Sequence, residues 1–386
     1  MDQRIIQTLF ALLRSAISGT QLTEEERGDY SAEQLRDLLK ISTNHDVAHL
    51  LVFGLKQNGF VSKENNDIEQ HILKAVYRYE RLRYEYEKLC DTLEKEQIPF
   101  LPLKGSVIRK YYPEAWMRTS CDIDILVHEK DSEKAASILV NEHGYRYHEK
   151  DSHDISLFTP INNHIELHYD LVEEGIANQS STVLKSVWDT ATVREGFSFW
   201  YEMPDEMFYF YHIAHMAKHF ENGGCGIRPF LDLWILDNVQ EADKEKRDEL
   251  LAQGKLLKFA DATRKLSRIW FADEQYDSVS GQMEDYILRG GVYGNNENRI
   301  MVQQQKTGGR IGYALSRIFL PYDVIKFHYP ILQKYRWLTP FMEVRRWCKL
   351  VFCGHVKRTV KELKYNQNIS LDKADETKKF LLSIGL

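Results

Sequence analysis

Asp122-Ile-Asp-Ile-Leu-Val127 alternates in side-chain character with a period of two and predicts a β-strand. Alternate residues of a strand share a face, so Asp122 and Asp124 project together while Ile123, Ile125 and Val127 turn to the other side. Upstream, Ile98-Pro-Phe-Leu-Pro-Leu103 is a short apolar run that reads as a strand entering the same sheet. Downstream, Ser132 to His143 reads as a helix stopped at Gly144. Tyr145–His148, Asp154–Thr159 and His164–Leu171 read as three further strands. Residues 98–200 are therefore expected to form a compact core around a small mixed β-sheet.

The flanks have another character. In residues 1–97, Leu9, Leu12, Leu13 and Ile17 recur at helical spacing, and Ser31-Ala-Glu-Gln34 has the pattern of a capping box. Asp67 to Glu96 is a long charged stretch without Pro or Gly, with Ile72, Val76, Leu82 and Leu89 on one side. Helical patterns return after Pro204, at Asp205–Phe220 and Ile227–Asn238, and fill much of 201–386. Pro321, Pro330 and Pro340 predict a loop-rich connection before the last helices. The expected class is α+β, with the 98–200 core between an N-terminal (1–97) and a C-terminal (201–386) helical region.

Composition fits a folded chain. Of 386 residues, 43% are hydrophobic and 28% charged, so wholesale disorder is excluded as a general reading. A formal net charge of −6 argues against broad polyanion binding. The five cysteines, Cys90, Cys121, Cys225, Cys348 and Cys353, form no C-x-x-C pair, which suggests neither a disulfide framework nor a zinc knuckle. That fits a reducing, cytoplasmic setting. Met1 to Gly19 reads as an amphipathic helix, not a signal peptide, and no run approaches the roughly 20 apolar residues of a membrane span.

The candidate chemistry starts with the two aspartates. Two adjacent carboxylates repel, and their burial is costly unless a positive charge joins them. A divalent cation with a taste for hard oxygen ligands, Mg²⁺, satisfies that requirement. The bland alternative is a solvated strand face carrying two acids. His164-Ile-Glu-Leu-His-Tyr-Asp-Leu171 places His164, Glu166, His168 and Asp170 on one face. If it lies beside Asp122–Val127, Glu166 completes a three-carboxylate cluster; a half-exposed strand explains the other three polar residues. Lys104-Gly105-Ser106 adds a turn after an apolar strand, where glycine lets backbone approach a ligand and free N–H groups favour an anion. It lacks the G-x-x-x-x-G-K-[ST] spacing of a P-loop.

In order, these pieces read Leu103-Lys-Gly105, Tyr112-Pro113, Arg118, Asp122-Ile-Asp-Ile-Leu-Val127 and Ile165-Glu-Leu-His168. The set resembles the nucleotidyltransferase superfamily of DNA polymerase β-like enzymes, and more closely a bacterial branch of nucleotidyltransferases. The gap from Ser106 to Asp122 is longer than in many superfamily members but usual in that branch. The resemblance implies NMP transfer from an NTP to an acceptor hydroxyl with release of pyrophosphate. It implies two Mg²⁺ ions on Asp122, Asp124 and Glu166, a phosphate cradle of Lys104, Gly105 and Ser106, and Arg118 near the phosphates. A salt bridge that merely orients an aspartate is the other reading of Arg118. The implied acceptor is a small molecule or peptide.

His215 and His219 stand four apart on one helix, without the glutamate of H-E-x-x-H. The resemblance implies that their helix faces the cleft and that His215, His219 and Arg228 meet substrate. Arg228 and Asp232 are also four apart, which allows an intrahelical ion pair. Lys334–Lys364 carries nine Lys or Arg against Glu343 and Glu362, with Trp337, Trp347 and Phe352 interleaved. A solvated amphipathic helix is the default, and contact with an anionic partner the sharper reading. Three competing functions remain at this level: a non-catalytic nucleotide- or partner-binding module, regulatory or antitoxin-like; AMP transfer to protein; and a zinc hydrolase on His215 and His219.

Overall fold

The fold comes from a computed structural model, which describes residues 3–28, 30–60, 66–172, 179–272, 274–352, 366 and 371–386. It is an α+β protein. Five strands, β1 (Phe100–Pro102), β2 (Asp122–Val127), β3 (Arg146–Lys150), β4 (Asp154–Phe158) and β5 (His164–His168), form one mixed sheet in the order β1-β2-β5-β4-β3. Only the β2–β5 pairing is parallel. A two-stranded ribbon, β6 (Thr192–Val193) with β7 (Tyr201–Glu202), lies against β1, joined to it by a bridge between Phe100 and Trp200.

The helices are α1 (Gln3–Ser18), α2 (Ala32–Asn44), α3 (Ala48–Gln57), α4 (Asn66–Lys95), α5 (Lys104–Ile108), α6 (Glu129–Asn141), α7 (Gln179–Lys185), α8 (Val187–Thr190), α9 (Asp205–Phe220), α10 (Arg228–Val239), α11 (Lys244–Gln253) and α12 (Leu257–Ala272), followed by others to the C-terminus. Ser31 caps α2 with the reciprocal Gln34 bond the sequence predicts. Among the described residues, no helix is long and apolar enough to cross a membrane. Cys90, Cys121, Cys225 and Cys348 are free thiols, and Cys353 lies outside the described residues.

The sheet's two faces meet different cores. Ile123, Ile125, Val127, Ile165 and Leu167 turn to one side, against Ala135, Ala136 and Leu139 of α6 and Leu82, Leu89 and Leu93 of α4. Leu101 and Leu126 turn to the other, into a larger cluster shared with α1, α3, α9 and α10 through Leu9, Leu50, Phe208 and Phe230. Central strands covered on both faces read as nearly continuous apolar runs, as Ile125-Leu-Val127 does. At the far edge every residue of β3 is exposed, and its charged run of Arg146, Glu149 and Lys150 resists pairing with another chain.

Two expectations are corrected. β5 stops at His168, so Asp170 does not continue its polar face; its carboxylate instead accepts the Val172 N–H at 2.9 Å and closes a turn. The predicted loop around Pro321, Pro330 and Pro340 is a series of short helices. Pro321 and Pro330 precede Tyr322–His328 and Ile331–Lys334, and Pro340 sits in the first turn of Thr339–Phe352, where a missing N–H costs nothing. Of the basic stretch Lys334–Lys364, residues 353–364 lie outside the described residues. Within the rest, Arg346 pairs with Glu343 at 2.8 Å, and Arg336 stacks on Tyr322.

Candidate active site

The parallel register of β2 and β5 sets Asp122 opposite His164 and Asp124 opposite Glu166. Directly opposed residues share a face, so the three acids and two histidines of β5, His164 and His168, crowd one end of the sheet. The three acids and His168 open into a cleft of about 520 Å³, also lined by Lys104, Gly105, Arg118, Tyr211, His215, His219 and Arg228.

Lys104 supplies the charge among the acids. Its Nζ lies 2.6 Å from Asp124 Oδ1 and 3.5 Å from Glu166 Oε2. It starts α5 with φ +45°, a left-handed conformation that is uncommon outside glycine. Gly105 follows in a tight place: a Cβ there would stand 3.2 Å from both Cβ and Oγ of Ser120, which would have to give way. Arg109 ties this turn down, donating from Nε to the Gly105 carbonyl and from Nη2 to Ser120 Oγ, each at 2.7 Å. The cleft lining includes Lys104 and Gly105 but not Ser106.

His168 is the second link. Its Nε2 lies 3.0 Å from Asp124 Oδ1 and 3.3 Å from Glu166 Oε2. The sequence offered a half-exposed strand face as its explanation; the side chain is in fact 6% exposed and bound into the acid cluster. Burial works against its charged form, but the bonds to Asp124 and Glu166 outweigh that and raise its pKa. Burial likewise opposes ionisation of Glu166, yet the His168 bond and the Lys104 charge hold its carboxyl below the usual range. At Asp122 burial, reinforced by the Asp124 charge, outweighs the nearby charges of Lys104, Arg228 and His164 and pushes its pKa up.

This donor set suits a hard divalent cation. Asp124, Glu166 and His168 bring ligand atoms within 4.8 Å of one another, as do Asp122, His164 and Glu166. Asp122 is the carboxylate most in need of an added positive charge, since burial and Asp124 both disfavour its ionised form.

The remaining predicted residues stand on the cleft walls. Arg118 donates from Nε to both oxygens of Asp232, at 2.7 and 2.9 Å, and Tyr112 Oη donates to the same carboxylate at 2.7 Å. Arg228 pairs with Asp46 at 2.9 Å, not with Asp232, so the intrahelical pair allowed by the sequence does not form. His215 and His219 meet through their Nε2 atoms at 3.3 Å, and the groups that could hold a metal do not include them. Burial drives the His215 pKa well down, so its imidazole is neutral. Sequence reasoning missed Tyr211, Asp46 and His45. Tyr211 Oη faces the charges of Lys104, Asp124 and Glu166, but a buried tyrosine on an apolar helix face carries no signal of that.

A family model described as an uncharacterised nucleotidyltransferase matches residues 31–272. The chain belongs to this family. The matched span runs from the cap of α2 to the end of α12 and contains the acid cluster and the cleft residues Lys104, Gly105, Arg118, His215, His219 and Arg228. Nucleotidyl transfer is thereby supported as the general function, with an NTP as the expected substrate of such an enzyme. No curated protein and no solved structure matches the chain.

Proposed function

We propose that the cleft transfers an NMP from an NTP to an acceptor hydroxyl and releases pyrophosphate. The observation that carries this reading is the pairing of Asp124 with Glu166 across β2 and β5, with Asp122 two residues away. Asp122, Asp124 and Glu166 would hold Mg²⁺, two ions in the full arrangement, which when bound neutralises the triphosphate and makes the acceptor hydroxyl more acidic.

The chain's own groups do the rest. Lys104 offers its ammonium to the phosphates at the mouth of the Gly105 turn, and Arg109 keeps that turn in place. Arg118, fixed on Asp232, and Arg228, fixed on Asp46, hold two guanidinium groups on the adjoining wall. The acceptor oxygen attacks the α-phosphorus in line. A bond from that oxygen to phosphorus forms, the bond to the pyrophosphate oxygen breaks, and the hydroxyl proton passes to a carboxylate of the cluster. His168 orients Asp124 and Glu166 for this from behind. His215 and His219 lie where an acceptor would enter, and a small molecule or a peptide suits a cleft of this size. A docking role for the basic C-terminal stretch belongs to the same proposal.

A thermal-shift series with ATP, CTP, GTP and UTP, each with and without Mg²⁺, tests the reading, because a ligand of the native state raises Tm with ln(1 + [L]/Kd). At least one NTP should raise Tm only with Mg²⁺. No shift with any of the four overturns it.

One observation favours a second reading. The Lys104 ammonium already neutralises Asp124 and Glu166, so the acids are partly satisfied without an ion, as a non-catalytic binding module would allow. Pyrophosphate release over a panel of acceptors separates the two: binding without release favours the module.

A further inference from the structure

His168 has two ring nitrogens, and the acid cluster uses one. Nε2 faces Asp124 and Glu166 on the β2 side of β5. The other, Nδ1, is buried and has no hydrogen-bond partner among the described residues. In either protonation state this is an unmet demand. The neutral tautomer that donates from Nε2 leaves Nδ1 a bare lone pair, and the imidazolium leaves it an N–H without an acceptor.

The other neighbour of β5 is β4. There, Asp154 stands directly opposite His168 in the antiparallel pairing, and His153 precedes it, its ring centroid 5.7 Å from that of His168. The ligand atoms of His153, Asp154 and His168 all lie within 4.8 Å of one another, and all three residues line the cleft, which gives an ion a way in.

We propose that His153, Asp154 and His168 form a second metal site, separate from the Asp122–Asp124–Glu166 cluster and suited to Zn²⁺ or a similar borderline cation. Two imidazoles and one carboxylate are the donor set such ions prefer over Mg²⁺. A histidine that binds a metal through one nitrogen usually donates the other N–H to a carboxylate. His168 already makes that outer contact, to Asp124 and Glu166, before any ion is present. Donors on a tetrahedral ion at about 2.0–2.1 Å stand roughly 3.3 Å apart, so binding draws the three side chains closer. With Nδ1 held by the ion, the ring would be locked and its Nε2–H fixed on the acids.

The test reads metal binding, not turnover, so its failure and that of the nucleotidyl-transfer reading are distinguishable. Zn²⁺ is titrated into the metal-stripped full chain against a chromogenic chelator, with Mg²⁺ in excess. The expected result is one tight Zn²⁺ per chain. His153→Gln and Asp154→Asn should each weaken it at least about tenfold, the lower end of what losing even an outer partner of a metal-bound histidine costs. Asp122→Asn should leave it unchanged. The half-exposed His153 and the isosteric Asp154→Asn give two independent variants should one fold poorly. Zn²⁺ affinity unchanged in both, or equally lost in Asp122→Asn, overturns the proposal and places the ion on the catalytic acids; absence of tight binding also overturns it.

Discussion

Asp124 and Glu166 sit directly opposite each other in the parallel pairing of β2 and β5, and both accept from the same two side chains, Lys104 and His168. Asp122, two residues along the same strand, receives neither contact in the described structure. That difference separates two acids that the sequence treats alike.

Asp122→Asn and Asp124→Asn should both abolish NMP transfer while moving stability in opposite directions. A carboxyl whose native pKa is raised destabilises the fold at every pH above that value, so removing the Asp122 charge should leave Tm at or above wild type at pH 7. Asp124→Asn takes the closest partner from a partly buried ammonium and should cost about 1–3 kcal/mol. Denaturant titration of the two variants, beside an assay of pyrophosphate release, checks both halves. Near-normal turnover in either would end the mechanism.

Lys104→Met should leave the acids short of positive charge. Its kcat/KM for the NTP should fall roughly 10²-fold, the scale of losing one charge-stabilising donor. The rise in Tm on adding Mg²⁺ should be larger than in wild type, since the ion then relieves more repulsion. An equal or smaller rise would mean that Lys104 does not share the space of the cation.

Asp232→Ala should be among the most damaging changes outside the acid cluster. It strips Arg118 Nε of the two carboxylate oxygens it reaches and Tyr112 of its acceptor in a buried setting. Leaving a buried charge uncompensated costs about 3–5 kcal/mol. A loss below about 1 kcal/mol by chemical denaturation would contradict this account.

The fold should weaken on mild acidification before its carboxylates titrate. Burial lowers the His45 and His49 pKa values to about 4 from an ordinary 6.5. Below 6.5 the unfolded chain takes up protons that the native state refuses, so their contribution is complete above that pH and is lost as pH falls towards 4. For His45 alone the gap corresponds to roughly 3 kcal/mol. His45→Leu should flatten the stability profile between pH 6.5 and 4; an unchanged slope would show that the imidazole is not the cause.

Much of this was legible in the sequence where local pattern decides. β2 spans the predicted Asp122–Val127, α9 the predicted Asp205–Phe220, and α4 differs from its predicted range by one residue at each end. β3 was displaced by a residue or two, since its exposed edge has no apolar alternation to fix its ends. Strand order was not legible, because the parallel joining of β2 to β5 depends on a crossover through α6, β3 and β4. The acids could be named but not their partners. Lys104 reads as a phosphate ligand from its turn, and only the fold shows its ammonium on Asp124. The Arg118–Asp232 and Arg228–Asp46 pairs join segments far apart in the chain, and helical spacing suggested a different pairing.

The parallel crossover has a consequence for biogenesis. As the chain emerges, Asp124 is made well before Glu166, and the two cannot meet until the α6, β3 and β4 segment between them has also been made. Long-range pairing of this kind is slow to form, because the connecting loop must close before any contact rewards it. The electrostatic cost of gathering the acids is thus deferred to a late step, and a nascent or partly folded molecule holds no assembled centre with which to consume nucleotide.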